Sequence, residues 1–267
     1  MLRLLREPRW LGYLALTVAF AVVCCLLGAW QWARREEALG AIDRLESNWD
    51  RTPVAVTDAL PTLDAYEQSQ QWTPVALEGE YLLDEQLLLR GRWRDGVVGF
   101  EVLAPLRLAD GSIFWVDRGW VDQREGADAP LTDPQTPAGP VEVVARLRAN
   151  EGAIAGRGAP EGQVASVDLP ALAERLGAPT YTGAYGLLVS EGGTAPDDVA
   201  VAGRPLLDEG PHLSYTLQWF VFAAGAFGAL AWALRQEQRV RTGDERPVRV
   251  RRHRSDADVE DDILDRA

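Results

Sequence analysis

Histidine and cysteine are scarce in this chain, with 2 of each among 267 residues. Cys24 and Cys25 are adjacent inside an uncharged apolar run, where thiols act as small apolar packers with no redox role. The sequence has no CxxC pair, HExxH, GxSxG or Gly-rich phosphate loop, so the usual thiol, zinc, serine-nucleophile and nucleotide chemistries lack their residues. His253 sits in a charged tail. His212 is better placed, within Gly210-Pro211-His212-Leu213-Ser214-Tyr215-Thr216-Leu217-Gln218-Trp219-Phe220. Pro211 suits a first helical turn, and helical spacing puts His212, Tyr215 and Trp219 on one face. Trp30, Gln31 and Trp32 end the other apolar run. If the two runs pack as helices of opposite direction, all six residues reach one depth. One reading is an aromatic interfacial belt with a hydrogen-bonded histidine. The other is a porphyrin site, with His212 as axial iron ligand and the aromatic rings flanking the macrocycle. The residues alone leave both open.

The carboxylates are less informative. Acids number 40 against 27 basic residues, so any pair is easily found and a solvated surface is the default. Arg118 in Asp117-Arg118 suits either anion binding or an ion pair that holds a hairpin. The acid excess excludes a nucleic-acid binder, which needs a basic face against phosphate.

These residues must be positioned by membrane helices. Positions 10–33 and 211–234 are uncharged throughout, and roughly 20 apolar residues span a bilayer as a helix. The first run is longer than the apolar core of a signal peptide and ends without a small-x-small cleavage site, which predicts an uncleaved anchor. Small residues Ala224, Gly225, Gly228 and Ala229 are spaced to let helices approach closely. The net charge of −13 divides unevenly: +2 over residues 1–33, −15 over 34–211, +5 over 235–254 and −5 over 255–267. Basic flanks mark the cytoplasmic side, so both termini are expected in the cytoplasm of a bacterium, at its plasma membrane, with the intervening domain outside. The predicted organisation is a cytoplasmic N-terminus (1–9), transmembrane helix 1 (10–33), a helical stalk (34–51), an extracytoplasmic domain (52–209), transmembrane helix 2 (210–234) and a charged, disordered tail (235–267). The tail's arginine cluster suits contact with anionic headgroups of membrane lipids.

The domain between the spans is β-rich. Short apolar runs at 72–81, 86–90, 97–106, 113–121, 141–149 and 184–190 have strand length, and 141–149 alternates apolar and polar positions. Arg94-Asp95-Gly96 and Ala109-Asp110-Gly111 are turn signals, the second in a hairpin-like register. A short helix is expected over 171–176, with Asp168 as N-cap and Gly177 closing it. The expected class is a membrane protein: two transmembrane α-helices flanking a β-rich (α+β) domain, an antiparallel sheet or partial barrel.

Four segments resemble the Surfeit locus protein 1 family, the assembly factors of haem-copper cytochrome c oxidase. They are Leu27-Gly28-Ala29-Trp30-Gln31-Trp32-Ala33-Arg34; Arg90-Gly91-Arg92 followed by Gly96, Gly99 and Val102-Leu103-Ala104-Pro105-Leu106; Asp110-Gly111 through Val116-Asp117-Arg118-Gly119-Trp120-Val121; and His212-Leu213-Ser214-Tyr215 with Gln218-Trp219-Phe220. Their order, the two spans and the loop size match over about residues 9–235. Departures are Glu36 and Glu37 where the family often has a lysine, Asp117 where it usually has asparagine, and the charged tail. The resemblance implies a non-enzymatic assembly factor that assists haem a insertion into the catalytic subunit, with that subunit and the haem a delivery machinery as partners. It also implies haem a as cofactor and His212 as ligand. Arg118-Gly119-Trp120 is expected to be structural, with Gly for backbone geometry and Trp for packing. The competing expectations are a scaffold that clamps oxidase subunits without haem, a two-span receptor whose outer domain binds a small ligand, and an outer-face hydrolase. The receptor lacks a recognisable signalling domain after Arg235, and the hydrolase lacks a nucleophile–base pair.

Overall fold

The computed structural model describes residues 6–126 and 128–243, which form two units, one of residues up to 35 and from 210, the other of residues 36–209. The predicted disordered tail beyond 243 lies outside the described residues.

The first unit contains the two apolar helices, α1 (Pro8–Asn48) and α4 (His212–Thr242), both long and apolar enough to cross a bilayer. α1 begins two residues before the predicted span. It also runs without a break through the expected stalk, because nothing between Arg34 and Asn48 breaks a helix and Leu39, Ile42 and Leu45 continue the apolar period. α4 continues eight residues past Leu234, so 235–242 are helical and not part of the tail. The αL residue Gly243 ends it, as glycine commonly does. The helices meet through Ala21, buried Cys24 and Ala223, with Trp219 packed on them. Gly28 faces the Phe220 ring, where an added Cβ would lie 3.2 Å from the ring. The glycines expected to mediate this approach, Gly225 and Gly228, instead border open space. The contact is therefore made two residues before Gly225 on α4, at Ala223.

The second unit is a barrel. Its strands are β1 (Val54–Ala55), β2 (Pro74–Tyr81), β3 (Leu87–Arg94), β4 (Val97–Leu108), β5 (Ile113–Asp122), β6 (Pro140–Ala149), β7 (Gln163–Val164) and β8 (Ala184–Glu191). The hydrogen-bonded order β2-β6-β8-β5-β4 closes on itself through a β2–β4 pairing. β1 flanks β2, while β3 and β7 extend the sheet beside β4. All these pairings are antiparallel except β5–β8, β1–β2 and β3–β7. β4 can serve two neighbours on one edge because it is 12 residues long: its first half pairs with β3 and its end with β2. Closure removes the sheet edge that an open barrel would expose.

That closure depends on Gly79. A Cβ there would lie 2.3 Å from the Arg107 carbonyl oxygen, so any side chain forces β2 and β4 apart. Gly79→Val is expected to destabilise the domain by about 2 kcal/mol or more. Thermal unfolding followed by far-UV circular dichroism checks this; an unchanged midpoint would refute it.

Side-chain alternation on β5 builds two cores. Phe114 and Val116 pack with Val75, Leu77, Leu106 and Leu147 on one face, capped by Val56 and Leu60 of α2 (Val56–Ala59) and its end. Trp115 packs on the other with Leu87, Leu89, Leu103 and with Leu169 and Leu172 of α3 (Leu169–Leu176). A strand buried on both faces reads as the continuous apolar run Ile113-Phe114-Trp115-Val116. α3 lacks the predicted side-chain cap from Asp168. Asn150 does that work from across the chain, its Oδ1 accepting from Leu169 N–H at 3.0 Å. The tight two-residue turn is Asp95-Gly96, both at positive φ, joining paired Arg94 and Val97. Asp110-Gly111 lies in a longer loop, where Asp110 accepts from the Ser112 N–H at 2.9 Å. Of the two turn signals it was the weaker one that forms the tight hairpin.

The end of α1 joins this unit. Trp49 stacks on Trp72 with centroids 5.6 Å apart. The Arg146 guanidinium lies 3.9 Å above Trp49 and that of Arg148 4.7 Å above Trp72. Asn48 donates to the carbonyls of Ser69 and Gln71 at 2.7 and 2.9 Å.

Candidate functional site

The membrane unit joins His212 and Gln31. His212 opens α4 and Gln31 lies on α1 181 residues earlier, with His212 Nδ1 2.8 Å from Gln31 Oε1. With the amide oxygen accepting, Nδ1 carries the ring proton and Nε2 keeps its lone pair. Nε2 has no protein partner among the described residues. This is the tautomer a metal-ligating imidazole needs, with its second nitrogen held by an outer partner. Thr216 reinforces the turn by donating to the His212 carbonyl at 2.9 Å. The donor set therefore fits a single axial ligand.

The aromatic residues divide. Trp219 turns inward onto Cys24 and Ala223 and meets Phe222 edge-on at 5.8 Å. Trp30, Trp32 and Tyr215 are 53%, 47% and 45% exposed. Trp30 and Trp32 flank Gln31 and so leave the helix on different sides; Arg34 and Arg35 lie over their rings at 5.8 and 5.7 Å. Exposed rings with arginine partners at the end of an uncharged run fit the belt arrangement. Only the His212–Gln31 pair converges.

The β domain holds two buried charge clusters, on opposite faces of β5. Arg118 is 1% exposed. Its guanidinium forks onto Glu191 of β8, with Nε 3.2 Å from Oε2 and Nη2 on Oε1. It also donates to Thr136 at 2.9 Å and lies 3.5 Å from Asp198. The predicted hairpin ion pair is thus a bond to a strand 73 residues away, β8, which lies along the edge of β5 opposite its hairpin neighbour β4. Gly119 has φ +137° and would place a Cβ 2.8 Å from the Ala200 carbonyl oxygen. Trp120 exchanges two backbone hydrogen bonds with Ala200, at 2.9 and 2.8 Å, and its indole N–H donates to Arg92 O at 3.1 Å. Arg94 adds a bond to Ala200 O at 2.6 Å. Arg118-Gly119-Trp120 and Arg94 thereby fasten residues 198–201 to the barrel.

The second cluster is centred on Asp117, which is 3% exposed. Its Oδ1 accepts from Gly119 N–H at 3.0 Å. Burial, then the charge of Glu101, pushes its carboxyl well above the ordinary aspartate value. Glu101 is also pushed up by burial, against the pull of Arg92. Arg92 holds Glu101 at 2.9 Å and Glu151 at 2.6 Å, and the Tyr185 hydroxyl donates to Glu151 at 3.3 Å. A cavity of about 310 Å³ borders Glu101, Asp117 and Trp120. Among 40 acids, nothing local singles these out. The one available signal was the strand alternation that sends Asp117 inward beside Trp115.

Two helices long and apolar enough to cross a bilayer, joined by the His212–Gln31 pair, together with a β-barrel domain define a two-span membrane protein with a β domain. Residues 18–224 match the SURF1 family. An uncharacterized SURF1-like protein of Mycobacterium tuberculosis is 33% identical over 255 residues, 92% of each chain, as is one of Mycobacterium bovis. A SURF1-like protein of Dictyostelium discoideum is 28% identical over 110 residues, covering 38% of this chain and 39% of its own. The chain belongs to the SURF1 family.

Proposed function

We propose that this protein is a non-catalytic assembly factor for an aa-type haem-copper cytochrome c oxidase, and that it holds haem a on its way into the catalytic subunit. The observation that carries this reading is the His212–Gln31 bond at 2.8 Å. It fixes the imidazole so that Nε2 would be available as a ligand to the iron that a bound haem would supply. Gln31 orients the ring and retains the proton on Nδ1; Trp219 supports the helix face beneath. One ligand from a shallow site suits cargo that must be released. The partners in this reading are the oxidase catalytic subunit and the haem a delivery machinery. The basic flanks favour an orientation with both termini in the cytoplasm and the barrel outside, which in this reading is at a bacterial plasma membrane.

The exposed positions of Trp30, Trp32 and Tyr215 favour a second reading, a scaffold that clamps oxidase subunits without haem. Deleting the gene tests what the two share. Loss of most of the oxidase's haem a absorbance and activity in membranes, restored by the wild-type gene, is the expected result. Unchanged oxidase would overturn both.

A further inference from the structure

The end of the membrane unit opposite His212 carries a second site that the proposed function does not use. A groove of about 570 Å³ runs between α1 and α4, with Tyr13, Leu16 and Phe20 on one wall and Ala226, Ala229 and Ala233 on the other. Its residues on α1 fall at i, i+3 and i+7, one helix face. Arg9 lies on that face one turn earlier. The groove from Arg9 to Phe20 is therefore about 16 Å long at 1.5 Å per residue.

Three features say what fills it. The interior is apolar, as a hydrocarbon chain requires. Next, the mouth is cationic: residues 6–10 and 234–243 carry five arginines against two glutamates, +3 in all. Arg9 bonds Glu237 at 3.0 Å yet keeps 54% of its side chain exposed, and the Tyr13 hydroxyl, one turn away on the same face, has no protein partner among the described residues. Last, Trp10 closes the charged end. It is 4% exposed, and its indole N–H has no acceptor among the described residues. A donor left so in hydrocarbon is costly.

We propose that the groove binds one anionic phospholipid. An acyl chain lies along the alanines, a glycerol ester carbonyl accepts from the Trp10 indole, and the phosphate is held by Arg9 and Tyr13. Other occupants match less well. A partner helix arrives with its backbone carbonyls already bonded within itself and so offers Trp10 no acceptor. A second copy would bring +3 against +3. Neither lacks apolar surface, but only the lipid combines hydrocarbon, acceptor and negative charge in the order the groove presents them.

Native mass spectrometry of the full-length protein in mild detergent, with added phosphatidylglycerol or phosphatidylcholine, tests this. One phosphatidylglycerol should be retained per chain, in about five-fold preference to phosphatidylcholine. Arg9→Gln should remove the preference, weakening retention of phosphatidylglycerol more than that of phosphatidylcholine. Ala229→Leu, which fills the groove, should abolish retention of either lipid, with helix content by circular dichroism confirming the fold. If Ala229→Leu does not fold, Arg9→Gln and Tyr13→Phe carry the test on lipid preference alone. Equal retention of the two lipids, an Arg9→Gln variant with the preference intact, or a tightly held polypeptide in place of lipid would overturn the proposal.

Discussion

Arg118→Ala is expected to lower the stability of the β domain by about 3–5 kcal/mol, a large part of the ~5–15 kcal/mol that holds a domain folded. The size follows from what is left behind. Glu191 is buried, and without the guanidinium its carboxylate has lost both arms of the fork. Thr136 and Asp198 lose their shared partner in the same step. Arg118→Lys keeps the charge but cannot reproduce the fork, so it should recover less than half of the loss. Arg118→Met with Glu191→Leu removes both charges and should recover most of it, since a buried pair is worth little more than an apolar pair of similar volume. Chemical denaturation of the purified protein measures all three. A single mutant as stable as wild type would mean that Arg118 does not fasten β5 to β8.

Asp117→Asn should do the opposite, raising stability near neutral pH. Burial holds the Asp117 carboxyl well above the ordinary value of 3.8. The folded state therefore binds this proton more tightly than the unfolded chain does. The stabilisation it contributes is complete below the unfolded value and is lost as pH rises through the raised folded value. Asparagine keeps the oxygen that accepts from Gly119 N–H and cannot ionise beside Glu101. The variant should therefore melt higher than the wild type at pH 8 and show little gain at pH 4. Melting curves across this range check the sign. A wild-type domain whose stability rises between pH 5 and pH 8, with no gain in the variant, would contradict the assignment.

Local signals made the elements legible, while their partners were not. Alternation and apolar runs located all six of the longer strands, since a half-buried strand must show its inward face every second residue. β5 gave itself away as an unbroken run because both of its faces are covered. The barrel closure could not be read, as it rests on β2 meeting β4 at Gly79, a glycine with no turn signal beside it. The same limit applies to caps and ion pairs: Asn150 replaces Asp168 at α3, and Arg118 reaches 73 residues to Glu191. Such choices are settled by packing, to which nearest neighbours in sequence carry no clue. The His212–Gln31 depth match was visible because uncharged runs of fixed length set membrane depth on both helices. Which aromatic rings would turn inward depended on helix rotation, and hydrophobic pattern does not determine rotation in a span that is apolar all round.

The central proposal is that His212, held by Gln31, takes the iron of haem a. Its most direct measurement is the reduced-minus-oxidised absorbance spectrum of the full-length protein, purified from cells that also express the haem a biosynthetic enzymes. The wild type should carry a haem a signal that His212→Ala loses almost completely, while Gln31→Ala retains a weaker or shifted one because the ring stays but is no longer oriented. A wild type that purifies without haem, or a His212→Ala variant with the full signal, would contradict the account.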